Sequence, residues 1–220
     1  MSLIYITGGA RSGKSALAEQ LAAPFGERVL YIATARAFDE EMRARIQKHR
    51  ARRPEAWGLY EGVDGFSQAL AIAPGLSGEE RASGAGAEGA VAGTARYDCA
   101  LLDCVPNLVT NLMMDSGHDW EHPGNASVQE MEARAMAALV ELIDCARARS
   151  ITVILVSGEV GMGLVPVYPF GRAFRDVLGQ VNQRLAALSD EAFAVFRAYR
   201  SGSRANPAAR AFAFPPSPPL

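Results

Sequence analysis

The stretch Gly8-Gly9-Ala10-Arg11-Ser12-Gly13-Lys14-Ser15 fills every fixed position of the pattern G-x-x-x-x-G-K-[ST]. Each fixed residue type answers a chemical need. Glycines let consecutive backbone N–H groups curl around an anion, and a helix opening at the end of the loop adds its dipole. Lys14 is placed to reach the β- and γ-phosphates of a nucleoside triphosphate, and the Ser15 hydroxyl to bind the Mg²⁺ that shares those oxygens. Such a site takes a further acid from the end of a neighbouring strand. Asp103, closing the run Ala100-Leu101-Leu102-Asp103, stands in that position, although an acid just past a strand also serves as a turn cap. A phosphate loop defines a ligand without defining a reaction, so other residues must discriminate.

The segment from Arg36 to Arg53 concentrates basic side chains, among them Arg36, Arg45, Lys48, Arg50, Arg52 and Arg53, with His49 between them. A helix here puts His49 on the stripe of Met42 and Ile46, partly enclosed. There an imidazole reads either as an interior histidine satisfied by a backbone partner or as a nucleophile or base, and the spacing leaves both open. Arg50, Arg52 and Arg53 carry guanidinium forks that match phosphate oxygens. His118 and His122, four apart beside acids, sit among Gly and Pro in a polar loop, which argues against the helix that would align them on a metal. Glu159-Val160-Gly161-Met162-Gly163 follows an apolar run, where open α/β sheets bind ligands.

Short runs that are apolar throughout, at 3–7, 29–33, 99–103 and 151–157 with a weaker one at 192–199, predict strands of a parallel sheet covered on both faces. Helices are predicted between them. The first runs from the loop to near Pro24 and buries Leu17 and Leu21; the second spans 39–52 with Asp39 as N-cap. A third starts at Ser127 in a Ser127-x-x-Glu130 capping box, and a fourth spans 170–188. The expected fold is α/β: a doubly wound, mostly parallel sheet of the P-loop NTPase type with helices on both faces. One catalytic domain over 1–200 is expected, carrying a low-complexity loop insert at 74–96 and followed by a disordered tail at 201–220.

At 220 residues and 49% hydrophobic, the chain can bury one core, and a formal net charge of −2 gives no basic field for a nucleic acid. Its three cysteines, Cys99, Cys104 and Cys145, lack zinc-site spacing and suit reduced thiols in the cytoplasm. The opening MSLIYITGG reads as a strand and not as a secretory leader, and no apolar run is long enough to span a membrane.

The blocks TGGARSGKS, YIAT, DEEM, RI-x-x-HR-x-x-RP with Trp57, LLDC, VTNLM, EVGMG-L-VP and R-x-FRD-x-x-G-x-VNQRLA occur in that order over 3–190. In this series the chain resembles the bifunctional adenosylcobinamide kinase/adenosylcobinamide-phosphate guanylyltransferase family of cobalamin biosynthesis. The resemblance implies phosphorylation of adenosylcobinamide by a nucleoside triphosphate, GTP or ATP, then transfer of GMP from GTP through a guanylyl-histidine with release of pyrophosphate. It places that histidine at His49 and lines the nucleotide site with the 8–15 loop, Thr34, Ala35, Arg36, Arg50, Ala51, Arg52, Arg53, Glu61 and Asp103. Glu61 is suited to accept from the guanine N1–H and N2 amine. A symmetric homo-oligomer, a trimer among the forms, is also implied. The chain departs from the family pattern at Gly158, at Pro106 and Asn107, and in its tail. A single-activity P-loop kinase with a structural His49, and a GTP-sensing module, are the competing readings.

Overall fold

Each apolar run becomes a strand because its backbone groups must pair once its side chains are buried on both faces. The computed structural model describes residues 1–37, 39–51, 53–71, 97–196 and 211–214. Strands β1 (Leu3–Gly8), β2 (Val29–Ala33), β3 (Gly58–Glu61), β4 (Cys99–Asp103), β5 (Thr152–Val156) and β6 (Glu191–Val195) pair in parallel. A seventh, β7 (Ala211–Phe214), joins β6 antiparallel, giving the order β3-β2-β4-β5-β1-β6-β7. The helices are α1 (Lys14–Ala22), α2 (Glu40–Arg50), one-turn α3 (Phe66–Ala69), α4 (Val105–Met114), α5 (Asn125–Ala148) and α6 (Pro169–Leu188).

Alternate strand residues face opposite ways and divide the core in two. Tyr5, Leu30, Ile32, Leu102, Val153 and Leu155 pack with α3 to α6 on one face. Ile4, Ile6, Tyr31, Leu101, Ile154 and Val156 pack with α1 and Trp57 on the other. Helix α6 has no side-chain cap but buries Val177, Leu178, Val181 and Leu185. At about 1.5–3 kcal/mol for each buried aliphatic side chain, packing outweighs the roughly 1 kcal/mol that a cap supplies.

Several expectations are corrected. Helix α5 opens at Asn125 with Gly124 as N-cap and no side-chain cap, so the capping box at Ser127 does not form. Glu130 instead accepts from or pairs with His118 Nε2 at 3.1 Å. Leu17 and Leu21 are half-buried, and Ala18 and Ala22 make the closer approach of α1 to the sheet. The 201–220 tail is not unstructured throughout: the Ala-Phe alternation of β7 supplies a strand that pairs along β6. The stretch 74–96 and the rest of the tail lie outside the described residues.

The sheet also explains the first glycine of the loop. A Cβ added to Gly8 would stand 2.3 Å from the Val195 carbonyl oxygen of β6, and φ there is +155°. Gly8→Ala is therefore expected to destabilise by about 3 kcal/mol in chemical denaturation. Gly9→Ala, whose Cβ meets nothing within 4 Å, is the matched control and should leave the midpoint nearly unchanged.

Candidate nucleotide site

Between β1 and α1 the loop turns through positive φ at Arg11 (56°) and Gly13 (104°). Gly13 is the N-cap of α1 and has no side chain to cap with, which leaves the first-turn N–H groups for an external anion. Ser12 Oγ is buried without a hydrogen-bond partner among the described residues, another donor that a phosphate would satisfy. Lys14 Nζ donates to the Gly9 carbonyl at 2.7 Å. Burial lowers the Lys14 pKa from its ordinary value, and the nearby Cys104 and Asp103 oppose that shift. The sequence-predicted loop residues 8–15 and Asp103 thus meet at the C-terminal ends of β1 and β4.

Asp103 is held from the side by a residue the sequence reading did not assign. Tyr31, on β2, donates its hydroxyl to Asp103 Oδ2 at 2.9 Å. Burial and the adjoining Asp103 carboxylate push the Tyr31 phenol far above its usual range, so it stays a donor. The Arg53 guanidinium lies over the Tyr31 ring, 4.3 Å from its centroid. Arg53, Tyr31 and Asp103 are therefore in direct contact, and Asp103 lies near enough to Lys14 for its charge to act on the ammonium. The signal was present in principle, since a tyrosine inside an otherwise apolar strand must find a partner for its hydroxyl.

Thr34 is 1% exposed, and its Oγ1 is committed to the backbone after β4. It donates to the Cys104 carbonyl at 2.7 Å and accepts from the Cys104 N–H at 2.9 Å. Buried Asn111, on α4, donates from Nδ2 to the Thr34 carbonyl at 2.7 Å. These bonds tie the ends of β2 and β4 together, and Asn111, although it stands in the VTNLM block, carries no local spacing that would name Thr34 as its partner. Asn111→Ala leaves that buried carbonyl without its donor and is expected to cost about 1–3 kcal/mol, measured as a shift in denaturation midpoint. Burial, with Asp103 beside it, pushes the Cys104 thiol up to about 12, so it is not a thiolate nucleophile near neutral pH.

The remaining predicted residues follow β2 or lie at the ends of α2 and β3. Ala35 follows Thr34, and Arg36 pairs with Asp115 at 2.6 Å at the end of α4. Arg50 Nη2 stands 3.1 Å from Glu61 Oε1, joining the end of α2 to the end of β3. His49 lies in the last turn of α2, immediately before Arg50, and the Ala51 N–H extends the turn to the Gln47 carbonyl at 2.9 Å. The side chains of Met42 and His49, and Arg52 altogether, lie outside the described residues. His122 Nδ1 is engaged with Asp119, and Trp120 Nε1 donates to the Met113 carbonyl. Among the described residues no group of three or more His, Cys, Asp or Glu is arranged to hold a metal.

A family model described as cobinamide kinase / cobinamide phosphate guanyltransferase matches residues 4–77 and 85–200. The chain belongs to that family. The family's match breaks only inside the Gly- and Ala-rich stretch that sequence composition marks as an insert. The bifunctional adenosylcobalamin biosynthesis protein CobU of Escherichia coli is 38% identical over 193 residues, 88% of this chain and 94% of that one. The corresponding protein CobP of Pseudomonas aeruginosa is 38% identical over 181 residues, 82% of this chain and 85% of that one. Among solved structures, an ATPase of a bacterial type III secretion system matches with a TM-score of 0.49 and 13% identity, covering 89% of this chain and 52% of that one. Gly158 and Pro106 meet in space. A Cβ at Gly158 would stand 3.3 Å from Pro106 Cγ, so a larger residue at 158 would press on that proline. Among the described residues no helix is long and apolar enough to cross a membrane.

Proposed function

We propose that the chain phosphorylates adenosylcobinamide with a nucleoside triphosphate and then guanylylates the product through a phosphoramidate on His49. The single observation that supports this reading is the contact of Arg53 with Tyr31 and of Tyr31 with Asp103, because it brings the end of the basic segment beside an acid whose charge acts on Lys14. In the second half-reaction a neutral imidazole nitrogen attacks the α-phosphorus of GTP. The bond to the α,β-bridging oxygen breaks, and pyrophosphate departs with its electrons. The loop N–H groups and Lys14 receive that charge. The phosphate of adenosylcobinamide phosphate then attacks the same phosphorus, releasing His49 and giving adenosylcobinamide-GDP.

Ser15 and Asp103 are the residues that would hold Mg²⁺. A hydroxyl and a carboxylate are the hard oxygen donors it takes, and Asp103 commits one oxygen to Tyr31 and keeps the other. When bound, Mg²⁺ supplies charge neutralisation at the phosphate oxygens. Arg50, Arg53 and Arg52 steady the guanylyl phosphate or the incoming phosphate, and Glu61 receives the guanine edge.

The test is to incubate the purified chain with adenosylcobinamide, ATP and GTP and to resolve the products. Adenosylcobinamide-GDP and pyrophosphate in equal amounts support the reading. Accumulation of adenosylcobinamide phosphate alone would reduce the chain to a kinase, and nucleotide binding with no product would reduce it to a sensor.

A further inference from the structure

A cavity of about 390 Å³ opens beside the phosphate loop on the α6 side of the sheet, lined by Tyr5, Thr7, Glu159, Arg175, Asn182 and Gln183, among others. Its position is fixed by the backbone. Thr7 directly precedes Gly8, and the Glu159 N–H donates to the Gly8 carbonyl at 3.0 Å. Asn182 is a strut: it accepts from Ser157 Oγ at 2.6 Å and donates to the Gly158 carbonyl at 2.9 Å, holding the chain that carries Glu159. Glu159 Oε1 accepts from the Gly161 N–H, which orients the carboxylate and leaves Oε2 for another partner. Arg175 lines the cavity, and its guanidinium makes no hydrogen bond or ion pair with a described residue.

Volume and chemistry narrow the occupant. Drug-sized ligands fill pockets of about 300–1,000 Å³, so a cavity at the low end takes a short arm and not a corrin ring. Its lining offers one carboxylate, one guanidinium without a described partner and hydroxyl groups, which suits an alcohol that becomes a phosphate monoester. We propose that this cavity receives the hydroxyl-bearing side arm of the acceptor and that Glu159 is the base of the phosphoryl-transfer step. The proposal rests on the two-step reading above and deepens its first step.

As the acceptor oxygen bonds to the γ-phosphorus, its proton passes to Glu159 Oε2. The bond from that phosphorus to the β,γ-bridging oxygen breaks, and the nucleoside diphosphate leaves with the electron pair. The proton later returns to water. Arg175 then pairs with the new monoester, retaining the arm for guanylylation. Burial pushes the Tyr5 phenol up to about 12 against the lowering effect of hydrogen bonds with Thr7 and Ser157, so this wall of the cavity stays uncharged near neutral pH.

Glu159→Gln tests this, because the amide oxygen can still accept from Gly161 and preserve the loop. Two rates are measured on the variant and the wild type: phosphorylation of adenosylcobinamide by ATP, and covalent marking of the chain by α-labelled GTP. The expected result is a loss of about 100-fold or more in the first, the usual worth of a positioned base, with the second at wild-type extent. A phosphorylation rate within threefold of wild type overturns the proposal, and so does an equal loss in both assays, which would make Glu159 structural. A wild-type chain that phosphorylates no adenosylcobinamide overturns the two-step reading itself.

Discussion

His49→Ala is expected to lower guanylyl transfer from GTP to adenosylcobinamide phosphate by at least about a thousandfold, the scale on which removal of a covalent nucleophile acts. Phosphorylation of adenosylcobinamide should persist within a few fold, because the phosphate loop, Lys14, Asp103 and Glu159 stand on other elements. Stability should change little, since α2 is a short and strongly polar helix in which Arg43, Ala44, Gln47 and Arg50 are exposed. Separate steady-state assays of the two steps make the comparison, with thermal melts alongside. An alanine variant that still forms adenosylcobinamide-GDP at a rate near wild type would leave His49 a structural residue.

Lys14→Met is expected to suppress both steps by roughly 100- to 1,000-fold, since in the proposed mechanism one ammonium serves the departing diphosphate in the first and pyrophosphate in the second. Its effect on the nucleotide-free fold has the opposite sign. Burial lowers the Lys14 pKa, so the unfolded chain binds its proton more tightly than the folded chain does. Stability of the wild type therefore rises as pH climbs from the lowered folded value toward the ordinary 10.5. The methionine variant lacks that dependence and should melt no lower than wild type near neutral pH. Triphosphate affinity of the wild type should weaken as pH rises through the lowered value, earlier than an ordinary lysine would allow. Melting curves and nucleotide titrations between neutral and alkaline pH check both signs.

The phosphate loop was legible because its chemistry lies in contiguous residue types whose order alone identifies them. Strands β1, β2, β4, β5 and β6 were legible for a similar reason, as compact apolar runs that only a covered parallel sheet accommodates. Strand β3 was not. Gly58-Leu59-Tyr60-Glu61 is short and opens with glycine, and its extended form comes from pairing with β2, where Leu30 stands opposite Gly58. Helix α4 was hidden by Pro106, which reads as a breaker but sits in the first turn, where a missing N–H costs nothing.

Within the site, the roles given to Thr34 and Asn111 depend on a contact across 77 positions of sequence. No local pattern reports such a contact, because its partner is chosen by the sheet order β2-β4. The same order brings Tyr31 to Asp103 and so turns an apparently apolar strand residue into part of the candidate nucleotide site. The Glu159 loop was legible as a turn after a strand, yet its attachment to Gly8 follows only from β5 lying beside β1.

The most direct measurement is mass spectrometry of the wild-type chain after brief incubation with α-labelled GTP alone and proteolysis under alkaline conditions. A GMP adduct on the peptide containing His49, released by acid and absent from His49→Ala, is the predicted result. An unmodified His49 peptide under conditions that yield adenosylcobinamide-GDP, or label carried by any other residue, would contradict it.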